Sequence, residues 1–582
     1  MKEKFDKNRL LWYTKRVYGV LTPILPETGG ICMDIIWERY NEWLNNCDGE
    51  MHAELESMTP EAMKDAFYAE LKFGTAGLRG KIGAGTDKLN VFTVARATQG
   101  LADYLKSTGG KKVAISYDSR IKSDLFAVVA AEVLVESGIN VIIVSDMMPT
   151  PYMSYMIRYY KCDAGIMITA SHNPKEYNGY KVSGSDGCQI NDETAEKILA
   201  CIDKYGYFGI KRFSFDQALR YGMIKYAGTD VKESYLREVW NCGITHEADG
   251  LSVTYSALNG TGIKLIPEIF DRLGVKCNKV ETQCVKDGTF RTCPYPNPEK
   301  PEAMELAVRQ AIERGSDLVI ATDPDADRVG VAVIKNGKAD LLSGNETGLL
   351  LTDYILKNKR KIKRPIVIKS IVTTRLTERI CASYGAELIN VLTGFKYIGG
   401  KVTELEKKGE AERFVLGFEE SYGYLPGSYV RDKDAMSASM LICEMAADYK
   451  RKGKTLRDAL NGIYAIYGLE EEKLVSYRFE GAEGSRLISD IMVHFRSNLP
   501  TVIGGLAVKE KTDFLIDDTE LVRSNVLRFV LEKDAQIILR PSGTEPLMKA
   551  YLSVCGDKES NSAIIVAMSD WLEGEIGSVT GR

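Results

Sequence analysis

Three times along the chain a β-rich run leads to a helical pattern that stops on glycine and returns to strand. The runs occupy 113–117, 251–258 and 366–372, and the helix–glycine–strand units that follow lie at 133–142, 269–276 and 380–388. Gly138, Gly274 and Gly385 fall where a helix C′ residue needs a positive φ. Strand, helix, strand is the signature of a βαβ unit. The glycines are 136 and 111 residues apart, an ordinary domain spacing. The pattern predicts three successive, related α/β domains. After them the period changes. Positions 474–479, 526–531 and 535–539 alternate like antiparallel strands, and a final helix is expected at about 560–575. This predicts a smaller α+β domain that begins between 468 and 473.

The N-terminal end is less patterned. Residues 34–44 form an amphipathic helical stretch that opens directly after Met33, whereas 1–32 show little that links them to it. The apolar segment from Leu10 to Leu25 is broken by Lys15 and Arg16 and lacks a clean small-residue cleavage site, so it does not read as a signal peptide. The expected organisation is a dispensable extension at 1–32, with Met33 as the start, then domains at 33–225, 226–340, 341–470 and 471–582.

A chain of 582 residues is too long for one core, which agrees with several domains. A net charge of -4 gives no electrostatic reason to bind nucleic acid or an anionic membrane. An anionic ligand would need a local basic pocket. No run of 18 apolar residues is present, so no membrane span is expected. The twelve cysteines form no C-x-x-C pair and there are four histidines, which argues against structural zinc or a disulfide framework and for a reducing cytoplasm. The run 357–364 has six cations in eight residues and reads as a solvated helix C-terminus.

Several segments carry chemistry. Asp323, Asp325 and Asp327 follow a predicted strand at i, i+2 and i+4, which in an extended segment puts three carboxylates on one side. Hard oxygens so placed suit Mg²⁺, and without a cation they would repel one another. Ser171 stands at the end of the predicted strand 163–168, within Thr169-Ala170-Ser171-His172-Asn173-Pro174. Serine is a weak nucleophile unless activated. His172 is adjacent, but neighbouring side chains often point apart, and a metal on the serine oxygen is the better activator. Arg540-Pro541-Ser542-Gly543-Thr544 is a candidate anion nest. Gly417-Phe418-Glu419-Glu420-Ser421-Tyr422-Gly423-Tyr424 reads as a glycine-bounded loop suited to a sugar's hydroxyls, and Phe73-Gly74-Thr75-Ala76-Gly77-Leu78-Arg79-Gly80 as a glycine-rich loop with a cation.

Together and in this order these segments resemble the α-D-phosphohexomutase family, which includes phosphoglucomutases and phosphomannomutases. The resemblance covers roughly 37–575. It implies four domains around a central cleft, three of them related α/β and the fourth smaller. It implies a phosphoserine at Ser171 and Mg²⁺ on Asp323, Asp325 and Asp327, with Ser171 as fourth ligand. Arg79 is implied beside the phosphoserine. Lys181, in Asn178-Gly179-Tyr180-Lys181, is implied near the reacting oxygen as acid/base if nearby cations lower its pKa, and Arg328 is implied to take developing charge. His172, Thr393, Gly394, Glu419, Ser421 and Lys433 are implied to bind substrate, and Arg540, Ser542, Gly543 and Thr544 to hold the phosphate that is not reacting. Phe418 departs from the glycine common before the glutamate. Glu419-Glu420-Ser421-Tyr422 resembles the glucose-preferring branch, whereas Pro541 and Glu545 resemble the bacterial mannomutase branch. The implied reaction interconverts glucose 1-phosphate and glucose 6-phosphate through glucose 1,6-bisphosphate, in a cytoplasmic monomer or homodimer. Phosphomannomutase or phosphopentomutase activity by the same route is the alternative. A haloacid-dehalogenase-like phosphotransferase and a non-catalytic sugar-phosphate sensor are the rivals from other classes.

Overall fold

The computed structural model describes residues 29–74, 77–479, 481–542 and 547–581. The expectation for 1–32 lies mostly outside them. Two compact units are present, one made of residues up to Lys72 with Lys81–Asn90, the other of Phe73–Gly80 with Val91–Arg582.

The first unit contains three helices, Gly29–Asn46, Gly49–Glu56 and Pro60–Phe67. The third starts where Thr59 accepts the Ala62 N–H and Pro60 supplies a fixed φ, a helix N-terminus written in local sequence. Trp43, Leu55 and Phe67 are fully buried. The segment 81–90 closes the unit: Glu54 accepts the Ala84 N–H at 3.0 Å, and the Asn90 amide donates to the carbonyls of Gly83 and Gly85.

The second unit has four sheets, each drawn from its own stretch of chain. The first holds β1 (Leu78–Lys81), β2 (Lys112–Tyr117), β3 (Asn140–Ile143), β4 (Ala164–Ile168), β5 (Tyr177–Gly184) and β6 (Ile224–Tyr226), in the order β1-β5-β4-β2-β3-β6. The second holds β7 (Ser252–Ser256), β8 (Lys276–Lys279), β9 (Leu318–Thr322), β10 (Val329–Lys335) and β11 (Lys338–Leu342), in the order β11-β10-β9-β7-β8. The third holds β12 (Ile366–Ser370), β13 (Glu387–Val391), β14 (Phe414–Glu419) and β15 (Gly423–Leu425), in the order β13-β12-β14-β15.

One motif recurs in all three. Two strands flank a parallel centre (β3-β2-β4, β8-β7-β9, β13-β12-β14), and the last then turns back into an antiparallel partner (β5, β10, β15). Strands β4, β9 and β12 are buried at every position, which is why they show no alternation of buried and exposed residues, although β12 includes Lys369 and Ser370. The three C′ glycines have φ of 82°, 75° and 64° at Gly138, Gly274 and Gly385.

The fourth sheet is antiparallel throughout, in the order β16-β21-β20-β19-β18-β17, with β16 (Leu469–Arg478), β17 (Val502–Ile503), β18 (Leu506–Asp513), β19 (Leu527–Leu531), β20 (Ala535–Pro541) and β21 (Leu547–Gly556). The helices Gly481–Ser497 and Lys558–Thr580 pack on one face of it around Ile491, Phe495, Met568 and Leu572. Its other face meets the third sheet's loops: Phe514, Val526 and Ile538 pack with Ile371, Val372 and Leu392. Among the described residues no helix is long and apolar enough to cross a membrane.

Candidate active site

The recurring motif places the chemistry. In each of the first three sheets the chain leaves the C-terminal end of a parallel strand, turns, and returns antiparallel. The first connection holds Ser171, the second 323–327, the third 420–422. Ligands in open α/β sheets bind outside these strand ends; side chains of the first two turns meet there, and the Tyr422 carbonyl joins the third to Val329.

Ser171 has a φ of +52°, an uncommon left-handed backbone for a residue with a Cβ. Its Oγ donates to Asp323 Oδ2 at 2.9 Å and lies 3.1 Å from His172 Nδ1. The expectation that Ser171 and His172 point apart does not hold, and this left-handed turn is the reason. Burial, together with the charges of Arg328 and Arg79, keeps the His172 imidazole neutral by lowering its pKa well below the ordinary value. Arg79 itself is exposed on β1.

Asp323, Asp325 and Asp327 are buried, with ligand oxygens within 4.8 Å of one another. They do not converge by alternation along an extended segment, as the sequence suggested. They lie on a tight turn between β9 and β10, in which Ala326 N–H bonds to Asp323 O at 2.9 Å and Ala326 takes a φ of +50°. Lys181 pairs with Asp325 at 2.9 Å and Lys433 with Asp327 at 3.0 Å. Lys181 is thus set against a carboxylate, not among the cations that its reading as acid/base assumed. Burial and the charges of Asp325 and Asp327 push the Asp323 carboxyl well up. Burial also acts to raise Asp325, but the charge and hydrogen bond of Lys181, helped by Thr150, hold it below the usual range. Asp325 Oδ1 and Asp327 Oδ1 are buried without a hydrogen-bond partner among the described residues. Hard donors with unmet oxygens, in a cluster that cannot ionise fully alone, fit a small divalent cation.

The third turn corrects another expectation. Glu419 is the last residue of β14, so the stretch 417–424 is a β-hairpin with a short connection at 420–422, not a free loop. Glu419 accepts the Gly394 N–H at 2.6 Å, which joins it to the Thr393-Gly394 turn. Burial pushes its carboxyl up to about 7, against the pull of Lys433. Lys433 also lies 5.3 Å above the Phe395 ring. Tyr422 accepts the Val329 N–H at 3.0 Å and so ties this hairpin to the aspartate turn. Ser421 is half-buried. Phe418 is accommodated because Gly348 faces it: a Cβ there would stand 2.2 Å from the ring.

On the fourth sheet Arg540 sits near the end of β20, and its charge reaches Tyr551 and Tyr397. The Ser542 N–H bonds to Leu547 O at 2.7 Å. Gly543 and Thr544 lie outside the described residues. The contacts above join Ser171, His172, Lys181, the three aspartates, Arg328, Gly394, Glu419 and Lys433 into one network.

Some supporting residues were missed in the sequence. Thr150 donates to Asp325 Oδ2 at 2.8 Å, and its N–H bonds to Asp325 O. Thr261 bonds twice to Pro324 O, beside Gly260, where a Cβ would stand 2.4 Å from Pro324 Cα. Glu299 pairs with Arg328. The run Asn259-Gly260-Thr261-Gly262 after a strand was the available clue for the second of these; Thr150 and Glu299 had none.

Comparison with known proteins agrees with this geometry. Family models described as phosphoglucomutase/phosphomannomutase, alpha/beta/alpha domains I, II and III, match residues 70–207, 233–337 and 343–467. A phosphoglucomutase of Staphylococcus haemolyticus (strain JCSC1435) is 38% identical over 534 residues, covering 88% of this chain and 96% of the relative. One from Staphylococcus aureus (strain bovine RF122 / ET3-1) is 39% identical over 507 residues, covering 84% and 91%. In fold the chain is similar to a phosphoglucomutase/phosphomannomutase family protein of Burkholderia thailandensis, with a TM-score of 0.67 at 19% identity over 87% of this chain and 97% of that one. It is equally similar to the Paramecium phosphoglucomutase parafusin in its open form, at 0.67 and 19%, over 88% and 96%. The chain belongs to the phosphoglucomutase/phosphomannomutase family.

Proposed function

We propose that this protein interconverts glucose 1-phosphate and glucose 6-phosphate, with a phosphoryl group carried on Ser171 and glucose 1,6-bisphosphate as intermediate. The observation that supports it most is the hydrogen bond from Ser171 Oγ into the three-aspartate cluster, in a chain whose relatives are phosphoglucomutases. The phosphoryl group leaves Ser171 Oγ for a sugar hydroxyl: the Oγ–P bond breaks and Oγ takes up a proton, while a new O–P bond to the sugar forms and the hydroxyl proton passes to the protein. Lys181 is the group assigned to the hydroxyl proton, which it accepts as a free amine with its ion pair to Asp325 opened. On the return step the O–P bond at the sugar's other end breaks and that oxygen takes up a proton, as Oγ–P forms again and Ser171 gives up its own; Asp323 Oδ2 and His172 Nδ1 stand within hydrogen-bonding distance of Oγ. Mg²⁺ held by Asp323, Asp325, Asp327 and Ser171 would neutralise phosphate charge there. Arg328 and Arg79 add positive charge beside the nucleophile. Glu419, Ser421, Lys433 and the Thr393-Gly394 turn, with His172, orient the sugar, while Arg540, Ser542, Gly543 and Thr544 grip the distant phosphate. Catalysis is then mainly positioning and charge neutralisation.

We take the domains to divide after β6, after β11 and before β16, a residue or two from the expected 225, 340 and 470, each of which falls inside a strand, and charged hexose phosphates suit a cytoplasmic setting. The test is a coupled assay for glucose 6-phosphate from glucose 1-phosphate with trace bisphosphate, alongside peptide mapping of covalent phosphate. Phosphate is expected on Ser171, and Ser171→Ala should lose several orders of magnitude in turnover, on the order of other nucleophile deletions. Full activity in that variant would reject the covalent route. Parallel assays with mannose and pentose phosphates decide the sugar.

A further inference from the structure

Arg120 is a fully buried cation that the proposed reaction does not use. It follows β2 within Asp118-Ser119-Arg120. Its guanidinium is filled by the backbone of the Ser171 loop. One terminal nitrogen, Nη2, donates to the carbonyls of Ser171 and Asn173, and the other, Nη1, donates to Pro174 O at 2.9 Å and Tyr177 O at 3.1 Å. The Phe290 ring lies beneath it at 5.0 Å. Asp118 Oδ2 stands 3.2 Å from Nε as an ion pair, and Asp118 is itself held by Thr169 and Ser123, each at 2.7 Å. The pair therefore sits between the strand that ends at Ile168 and the loop that follows it.

Besides Arg120, Thr169 Oγ1 accepts the Ser171 N–H at 2.8 Å. The loop's own backbone bonds are Asn173 N–H to Ala170 O and Tyr177 N–H to Pro174 O, both at 3.1 Å. Ser171 meanwhile occupies a left-handed backbone, which residues with a Cβ adopt only at a cost. Four carbonyls aimed at one point also need a cation between them. A planar fork with paired N–H groups on each terminal nitrogen can reach all four; an ammonium is a single point and cannot.

We propose that Arg120 is the positioning residue of the nucleophile: it clamps the 171–177 backbone in the one form that sets Ser171 Oγ against Asp323. This rests on the reading of Ser171 as phosphoryl carrier. Of the sugar contacts proposed, His172 lies on this loop, whereas those at Glu419, Lys433 and Arg540 come from other sheets. Loss of the fork should therefore act far more on phosphoryl transfer than on sugar-phosphate binding.

The test compares wild type with Arg120→Lys, which keeps the charge beside Asp118 and removes the fork. Single-turnover transfer of labelled phosphate from glucose 1,6-bisphosphate to the protein gives the rate, and calorimetric titration with glucose 6-phosphate gives Kd. The rate should fall on the order of 100-fold, the scale of a misplacement of about 1 Å, with Kd within about threefold of wild type. If Arg120→Lys yields no folded protein, Phe290→Leu takes its place, because it removes only the ring beneath the guanidinium; it should slow labelling several-fold with Kd unchanged. Labelling at the wild-type rate in the folded variant, or a loss shared equally by rate and Kd, overturns the clamp. Wild type that never takes up label overturns the phosphoserine reading instead.

Discussion

Replacing Gly348 with alanine should unseat the strand that carries Glu419. Gly348 lies in the helix Gly344–Asn358, and the space left by its missing side chain is taken by Phe418. A Cβ there would stand 2.2 Å from Cε2 and 2.4 Å from Cδ2 of that ring. Two carbons rest at about 3.5–4.0 Å, so ring or helix must shift by more than 1 Å or so. The ring has little room, since it is fully buried and nearly parallel to Tyr424, at 6.4 Å and 19°. Overpacking of this kind costs about 1–3 kcal/mol, and the better helix propensity of alanine offsets about 1 kcal/mol of it. Contacts this short put the cost at the upper end of that range, so a net loss of about 2 kcal/mol is expected, with the strain falling on the residue before Glu419. Phe418→Leu in the same chain should relieve the contact, so the two substitutions should couple with a favourable sign. Urea unfolding midpoints and kcat/KM for the two single variants and the double variant measure this. The alanine variant should lose about tenfold in kcat/KM, as about 1.4 kcal/mol at the transition state requires. Wild-type stability and activity in Gly348→Ala, or a double variant no better than the alanine variant alone, would refute the reasoning.

Two further outcomes are expected. Removing divalent metal with a chelator should abolish turnover and added Mg²⁺ should restore it. Asp325→Asn, which takes away the carboxylate paired with Lys181, should leave little activity for Mg²⁺ to restore; a metal-free protein that works normally would overturn the assignment. Glu419 gives a pH signature. Its carboxyl is raised from 4.5 to about 7 by burial, so the folded state holds the proton more tightly than the unfolded chain does. That contribution is fully present below about pH 4.5 and is lost as pH rises through 7, by at most about 3 kcal/mol. Melting temperatures followed across this window should fall less for Glu419→Gln than for wild type; parallel curves would show that the carboxyl is not raised.

What the chain determined by itself is what local physics writes locally. Buried central strands favour β-branched and other apolar residues, so the β-rich runs 113–117, 251–258 and 366–372 announced β2, β7 and β12, even though these bury Ser116, Thr254 and Lys369 as well. A helix that ends on a left-handed residue calls for glycine, so Gly138, Gly274 and Gly385 marked the three repeats. One-face burial produced the alternation seen in β19. The chemistry of the aspartates and of the serine loop was also readable, because short runs of charged and hydroxyl residues at strand ends carry their own meaning.

The structure decided everything that depends on distant partners. That Lys81–Asn90 returns to the N-terminal helices could not be read from either segment. Alternation suggested an extended aspartate segment, but a tight turn forms instead. Contacts from Thr150 and Thr261, 175 and 63 residues away in sequence, hold that turn with Ala326 in a left-handed conformation. The segment 417–424 looked like a loop because it carries glycines and polar residues, yet Gly417 and Phe418 are buried strand, paired with β12, and Phe418 packs on Gly348. Arg120 resembled any arginine after a strand until four carbonyls from 171–177 closed around it. A site in which side chains from separate sheets meet is set by how those sheets pack. Burial then gives each charge its partner and its pKa, and neither quantity is carried by the residues nearby in sequence.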